Sequence, residues 1–499
     1  MSLRRNIAKN AAVQMAGKIM GVVLSIITAA LVTRHLGTNG FGQYTKILSF
    51  LQFFGIAMDF GLYIILIKKI ADIPNDKLDT PIVHTIFTLR VISGIFFLSL
   101  APIVAWMIGL FHEGYSGTIV AGVALTTGFF FFISLNQLLS AIFQKVLRSD
   151  WIALAEFVGK IVLLVSTLIV IFLNLNVLWV LSTLVLSSAV NFLINFLATK
   201  KYVRLRLSLH WDLMKRVIYD AWPTALSIAF GLIYFKGDTI ILSFYESDAV
   251  IGRYGAPYKI LEVLVVFPAI FAGLVMPVIT AAWQQKHLGR FRDLLQKSFD
   301  ALSFIAIPLI AGVMILAPYI IEVIAGSDFQ SSTTILRILI IATAAIFFGT
   351  LFGYIVVSLD QQRLMMWGYG FVAITAFIGY LIVIPRYSVI GAAWLTVYSE
   401  VLAVCISYWL IVKRTHMHLQ FGRLLKAIFA SLGMYIVLRC VLFLFEFIEQ
   451  KYQLLSFFWY AFFVLIVCVP LGALVYVLLL FALRALRPGE VRELISLKK

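Results

Sequence analysis

Apolar runs of bilayer-crossing length recur from one end of this chain to the other, and no other feature restricts its fold so severely. A helix needs about 20 apolar residues to cross the hydrocarbon slab, where a bare backbone N–H or C=O finds no partner. Runs of this kind, broken by turn residues or charges, number about fourteen. The first two are Asn10–Val32 and Phe41–Ile67; the eleventh and twelfth are Leu364–Ile384 and Val389–Val412. Barrel strands would be half as long and would alternate polar with apolar residues. Hydrophobic residues are 62% of the 499, more than a water-facing surface can hide. The expected fold class is all-α and polytopic.

Charge supplies an independent check on that count. Only 13% of residues are charged, yet the formal net charge is +17. With the N-terminus inside, the breaks after even-numbered runs collect the basic residues, among them Lys68, Lys69, Lys145, Arg148, Lys200, Lys201, Arg204, Arg206, Lys413 and Arg414. The other breaks hold few: Arg34, Arg253, Arg386 and Lys451, with Glu113, Glu246 and Asp248. An odd number of miscounted spans would scramble this pattern, so both termini are expected to face the cytoplasm. The opening "MSLRRNIAKN" reads as the flank of an uncleaved first span. In a soluble protein such a basic balance would suggest nucleic acid; here most of it is expected in cytoplasmic loops.

No break is long enough to hold an extramembrane domain, which argues against polymerases and ligases. Cys405, Cys440 and Cys468 lie in apolar runs without metal or disulfide spacing and read as packing residues. No H-E-x-x-H and no phosphate-loop lysine motif occur. Gly37-x-x-Gly40-x-Gly42 tempts one toward a nucleotide fingerprint, but that needs a strand before it and a βαβ unit around it. Between two apolar runs the glycines serve a reversal instead. No enzymatic activity is expected.

Two basic linkers, "TKKYVRLRLSLHWDLMKRVIYDAW" and "VKRTHMHLQFGRLLKAIF", punctuate the chain at equal steps. "FGQYTKIL" at Phe41–Leu48 is echoed by "IGRYGAPYKIL" at Ile251–Leu261, where Gly252 and Tyr254 answer Gly42 and Tyr44. Each copy opens the second span of its set. Sets of about six spans enter the membrane in the same sense, which makes a parallel repeat. The expected division is an N-terminal lobe at 1–200, a linker at 201–218, a second lobe at 219–413, a linker at 414–423, two further helices within 424–484 and a basic tail at 485–499.

"RHLGTNGFGQY" resembles the R-x-L-G-x-x-x-F/Y-G-x-Y signature of the Wzx-like polysaccharide flippases, a family of the MOP (multidrug, oligosaccharidyl-lipid, polysaccharide) superfamily. "DFGLYIILIKKIAD" and "IGRYGAPYKILE" resemble two further stretches of that family. The resemblance implies two pseudo-symmetric six-helix lobes plus two C-terminal helices. It also implies movement of a polyprenyl-diphosphate-linked oligosaccharide from the cytoplasmic to the outer leaflet of a bacterial cytoplasmic membrane by alternating access. A cation-coupled drug antiporter of the MATE type is the alternative on the same fold. No cofactor is implied beyond a coupling ion, H+ or Na+. The implied partners are membrane lipids, the lipid-linked glycan, and a glycan polymerase or glycosyltransferases of the same pathway.

Charges within spans are costly and mark function by default. The spans that would line the cleft in this fold carry Lys18, Asp59, Lys236, Asp238, Lys259 and Glu262. Lys18, Lys236 and Lys259, with Arg253 and Arg34 at the outer mouth, are the expected diphosphate-binding cations. Asp59, Asp238 and Glu262 are the expected coupling or gating carboxylates. Glu156 and Lys160 have i, i+4 spacing and read as a neutralising pair. Arg90 and Arg337 lie near span ends and read as snorkelling side chains.

Overall fold

The computed structural model describes residues 3–71, 73–452 and 456–486; within these, the side chains of residues 3–19, 76, 149 and 450–452 stand outside the description. The side chain of Lys18, and the tail beyond Leu486, therefore lie outside the description. Among those described, twelve stretches are long and apolar enough to cross a membrane. The chain divides into two compact units, Met1–Gly255 with Tyr380–Ser388, and Ala256–Gly379 with Val389–Lys499.

The first unit contains α1 (Leu3–Asp59), α2 (Leu62–Ile70), α3 (Pro81–Gly109), α4 (Gly117–Lys145), α5 (Ser149–Phe172), α6 (Val177–Thr199), α7 (Trp211–Tyr245) and the start of α8 (Asp248–Leu264). At 57 residues α1 would be about 85 Å long if straight. It is instead broken at Gly37, whose φ of 61° and ψ of −174° favour glycine. Neighbouring contacts show that the chain reverses there. Its first limb runs with α5, since Gly21 lies against Glu156 and His35 Nε2 reaches Leu175 O at 2.7 Å. Its second limb runs with α4, with Ile47 on Gly122 and Phe130 on Gly55. α6 runs with α4 through Asn136–Asn191 at 2.9 Å and Val185 on Gly128, and against α5 through Ser187–Gly159 and Thr167–Thr183. The two limbs are thus antiparallel, as expected for two spans.

This unit has two chemically different ends. One holds the Gly37 turn, His112, Leu175 and Asp248. The other holds Lys68, Lys69, Lys145, Arg148, Lys200, Lys201, Arg204 and Arg206, and here Lys145 Nζ donates to Ala71 O at 2.5 Å and Lys69 pairs with Asp220 at 2.8 Å. The core at the basic end joins Leu62, Leu66, Ile86, Leu138 and Ile142 to Val217 and Ala221 of α7.

The second unit contains the rest of α8, α9 (Val266–Gln284), α10 (Leu288–Ile324), α11 (Ser332–Ser358), α12 (Gln362–Thr415) apart from Tyr380–Ser388, α13 (Gly422–Tyr452) and α14 (Phe457–Ala482). α8 gives way to α9 at Val265, just before Pro268, whose ring and missing N–H disfavour a continuous ladder. α12, 54 residues long, is broken at Ser388 and folds back: Leu395 packs on Gly379, and Ile406 on Gly368. Each fold-back divides one stretch into two helical limbs, so the twelve stretches comprise fourteen limbs among the described residues, in line with the about fourteen runs read from the sequence. Phe291, Phe299, Phe347 and Phe352 form one core of this unit. α13 and α14 close a second against α10, around Tyr319, Met434, Val464 and Cys468. Of the cysteines read as packing residues only Cys468 is buried; Cys405 and Cys440 are exposed on helix surfaces.

The expected lobes part at the 201–218 linker, whereas the compact units part within α8. The start of α7 packs on α2, through the core above and through Thr224 against Gly61, so the helix after the linker joins the unit before it. Repeat and compactness divide the chain at different places.

Gly37→Ala should cost about 1–3 kcal/mol, the usual strain of an ordinary residue held in such a conformation. Gly312→Ala, where an added Cβ meets nothing within 4 Å, should leave stability nearly unchanged. Thermal unfolding of the two variants in detergent checks the difference.

Candidate functional site

The two echoed motifs meet. A Cβ added at Gly42 would fall 1.7 Å from the carbonyl oxygen of Asp248, and one at Gly252 would fall 1.9 Å from that of Thr38. Thr38 stands one helical turn before Gly42, as Asp248 stands before Gly252. The contact is therefore reciprocal, the signature of a local two-fold relation between repeats. Glycine is required at both places because backbone lies against backbone.

An ion pair buttresses this clasp. Lys46, one turn after Gly42, is 1% exposed. It pairs with Asp248 and donates to Gly114 O at 2.8 Å, with the Tyr115 ring centroid 5.7 Å away. Tyr115 OH shares a hydrogen bond with Ser243 Oγ at 3.1 Å. His112 accepts from Gly114 N–H at Nδ1, which leaves Nε2–H to donate to Phe244 O at 2.9 Å. Residues from α1, the α3–α4 turn, α7 and α8 are thereby tied together at the Gly37 end.

A second buried pair lies toward the basic end. Arg90 of α3 is wholly buried and pairs with Asp59, the last residue of α1. The snorkelling reading of Arg90 is thus corrected: a guanidinium with no exposed surface has no route to the headgroups. Its partner sits where the chain breaks, for Phe60 and Gly61 both take positive φ. Ser93 Oγ donates to Met58 O at 2.9 Å and ties the same junction to α3.

Asp238 of α7 is fully buried and accepts from Thr239 N–H and Oγ1–H and from Tyr254 OH, the last at 2.5 Å. Lys236, two residues earlier, is 5% exposed, with Nζ 5.5 Å from the Phe235 ring centroid. Arg34 and Arg253 are exposed. In the second unit Lys259 and Glu262 pair with each other at 2.9 Å along α8. Arg337, also read as snorkelling, donates Nε–H to Met314 O at 3.0 Å. The structure thus gathers Asp59, Lys236, Asp238, Arg34 and Arg253 into one unit, places Lys259 with Glu262 in the other, and does not describe the side chain of Lys18.

Lys46 was missed by the sequence reading, although it lies inside the quoted motif and within a span. The rule that picked out the other intramembrane charges applies equally to it.

Asp59→Ala should destabilise the protein by about 3–5 kcal/mol, because it strands a buried guanidinium. Asp59→Leu combined with Arg90→Met should recover most of that loss, as thermal unfolding in detergent would show. Gly252→Ala must push the clasp apart, at about 1–3 kcal/mol typical of overpacking. Cysteine pairs at positions flanking the Gly42–Asp248 contact, with Gly42 kept, should then crosslink less readily than in the parent.

The family described as polysaccharide biosynthesis protein matches residues 7–283, more than half of the chain. No curated protein matches the chain in sequence. Among solved structures, the lipid II flippase MurJ in an inward closed conformation is 15% identical, with a TM-score of 0.72 over 93% of this chain and 97% of that one. An inward-facing multidrug resistance MATE family transporter of the MOP superfamily is also 15% identical, with a TM-score of 0.65 over 81% and 98%. A MOP superfamily transporter from Pyrococcus furiosus, reported for the reverse polarity of its binding pocket, is 15% identical with a TM-score of 0.55 over 83% and 96%. These likenesses show the fold. With a reciprocal glycine clasp joining its two motif copies, and with the family match spanning both, the chain belongs to the polysaccharide biosynthesis protein family and carries the fold of the MOP superfamily.

Proposed function

We propose that the protein is a flippase that moves a polyprenyl-diphosphate-linked oligosaccharide from the cytoplasmic to the outer leaflet of a bacterial cytoplasmic membrane, for assembly of a surface polysaccharide. Membership of the polysaccharide biosynthesis family carries this reading. The fold likeness to a lipid II flippase supports it. The basic end of the first unit faces the cytoplasm in this account, as the positive-inside rule requires.

A diphosphate crossing a low-dielectric slab needs cations along its path. Lys236 is held within a span at near-complete burial, and Lys18 and Lys259 are the further lysines of this path. Arg253 and Arg34, exposed at the Gly37 end, receive the headgroup as it emerges. In this reading the clasp of Gly42, Gly252, Lys46 and Asp248 ties the Gly37 end of the first unit together, and a transport step that parts it breaks the ion pair. Asp59, Asp238 and Glu262 couple opening to H+ or Na+.

Lys18→Ala, Lys236→Ala and Lys259→Ala should each lower polysaccharide export several-fold while the protein stays in the membrane. Cells lacking the protein should accumulate lipid-linked glycan on the cytoplasmic face. Normal export in all three variants would contradict the cationic path. Export of a cationic drug with no change in glycan would favour the MATE-type antiporter.

A further inference from the structure

The linker between α6 and α7 carries cations that the transport path does not use. Lys200 and Lys201 follow α6, and Arg204 and Arg206 lie in the extended stretch beyond. Val203 is buried at 1% exposure, while its neighbour Arg204 is exposed. Ser208 N–H donates to Thr88 Oγ1 at 2.8 Å, which pins the stretch to α3. The linker is thus held against the bundle.

Lys200, Lys201 and Arg204 are exposed, and none of them is ion-paired among the described residues. Two carboxylates of this unit are engaged elsewhere: Asp150 pairs with Arg148, and Asp220 with Lys69. Like charges at this spacing repel, and an added anion relieves the repulsion. Phe196, Lys200, Val203, Arg204 and Leu205 line a cavity of about 400 Å³. Lys200 Nζ lies 5.3 Å from the Phe196 ring centroid, and Lys201 Nζ lies 5.2 Å from that of Trp151, so both ammonium groups are positioned by aromatic faces.

Two residues beyond Leu205 of the cavity lining, an apolar set begins in the chain: Leu207, Leu209 and Trp211 are 67%, 60% and 69% exposed. Water would penalise such a set, whereas the headgroup–acyl boundary suits it. Cations followed along one linker by exposed apolar side chains fit a ligand with a phosphate and hydrocarbon chains. A free phosphate would use the cations and leave the set uncovered; an acidic peptide would do the same.

We propose that this cavity binds the phosphate headgroup of an anionic phospholipid, with its acyl chains along Leu207, Leu209 and Trp211. The site is distinct from the flippase path and stands whether or not that reading holds. Purified full-length protein would be titrated in detergent with short-chain phosphatidylglycerol, phosphatidylcholine, inorganic phosphate or a poly-glutamate peptide, with bound species read by native mass spectrometry. Phosphatidylglycerol should bind in preference to all three. Lys200→Ala combined with Arg204→Ala should weaken it roughly thirtyfold, at the usual contribution per surface cation. Lys200→Arg with Arg204→Lys should retain binding and report that the site still folds. Arg290→Ala with Arg292→Ala, a charge-matched change in the other unit, should have no effect. Equal binding of phosphatidylcholine, stronger binding of phosphate or poly-glutamate, or no loss in the Lys200/Arg204 double alanine variant would overturn the proposal.

Discussion

Hydrocarbon offers a peptide group no hydrogen-bond partner, so every crossing must be helical and every departure from helix must be placed where something else satisfies or shelters the backbone. In this protein those departures are few and specific. Gly37 and Ser388 turn two very long helices back on themselves. Phe60 and Gly61 break the chain beside a buried ion pair. Pro268 separates α8 from α9. The chain reverses at the first two of these sites, and a buried charge pair adjoins the third.

The glycine clasp shows how a repeat becomes a structural device. Two copies of one short motif approach until backbone touches backbone, and any side chain larger than hydrogen at Gly42 or Gly252 would hold them apart. Lys46 and Asp248 add a bond that is strong while buried and costly to leave half made. An interaction of that kind favours two discrete arrangements over a continuum, which would suit the alternating access proposed above. Asp59 and Arg90 provide a comparable pair near the opposite end. Transport by alternating access would use both.

Much of this was legible in the sequence, and the limits have physical causes. The crossings could be counted because hydrophobicity is a local property, and the loop charges checked their parity. "TRHLGTNGFGQYTKIL" could be read as a reversal because nucleotide binding needs a strand that is not there. The echo at Ile251–Leu261 could be seen, but not that the copies clasp each other, since backbone approach leaves no trace beyond the glycines. The partner of Arg90 depended on how α3 sits against α1, a register no one-dimensional pattern contains. Lys46 was visible but was taken for part of an echo rather than for a charge in a span.

The central claim is translocation of a lipid-linked glycan, and reconstitution tests it most directly. Purified protein would be placed in liposomes with a polyprenyl-diphosphate oligosaccharide bearing a quenchable fluorophore, and access of a membrane-impermeant quencher would be followed in time. The account predicts that the protein exposes inner-leaflet substrate to the quencher far faster than empty liposomes do, and that a crosslink across the Gly42–Asp248 clasp abolishes this. Translocation no faster than in empty liposomes, under an imposed H+ or Na+ gradient of either sign, would contradict it.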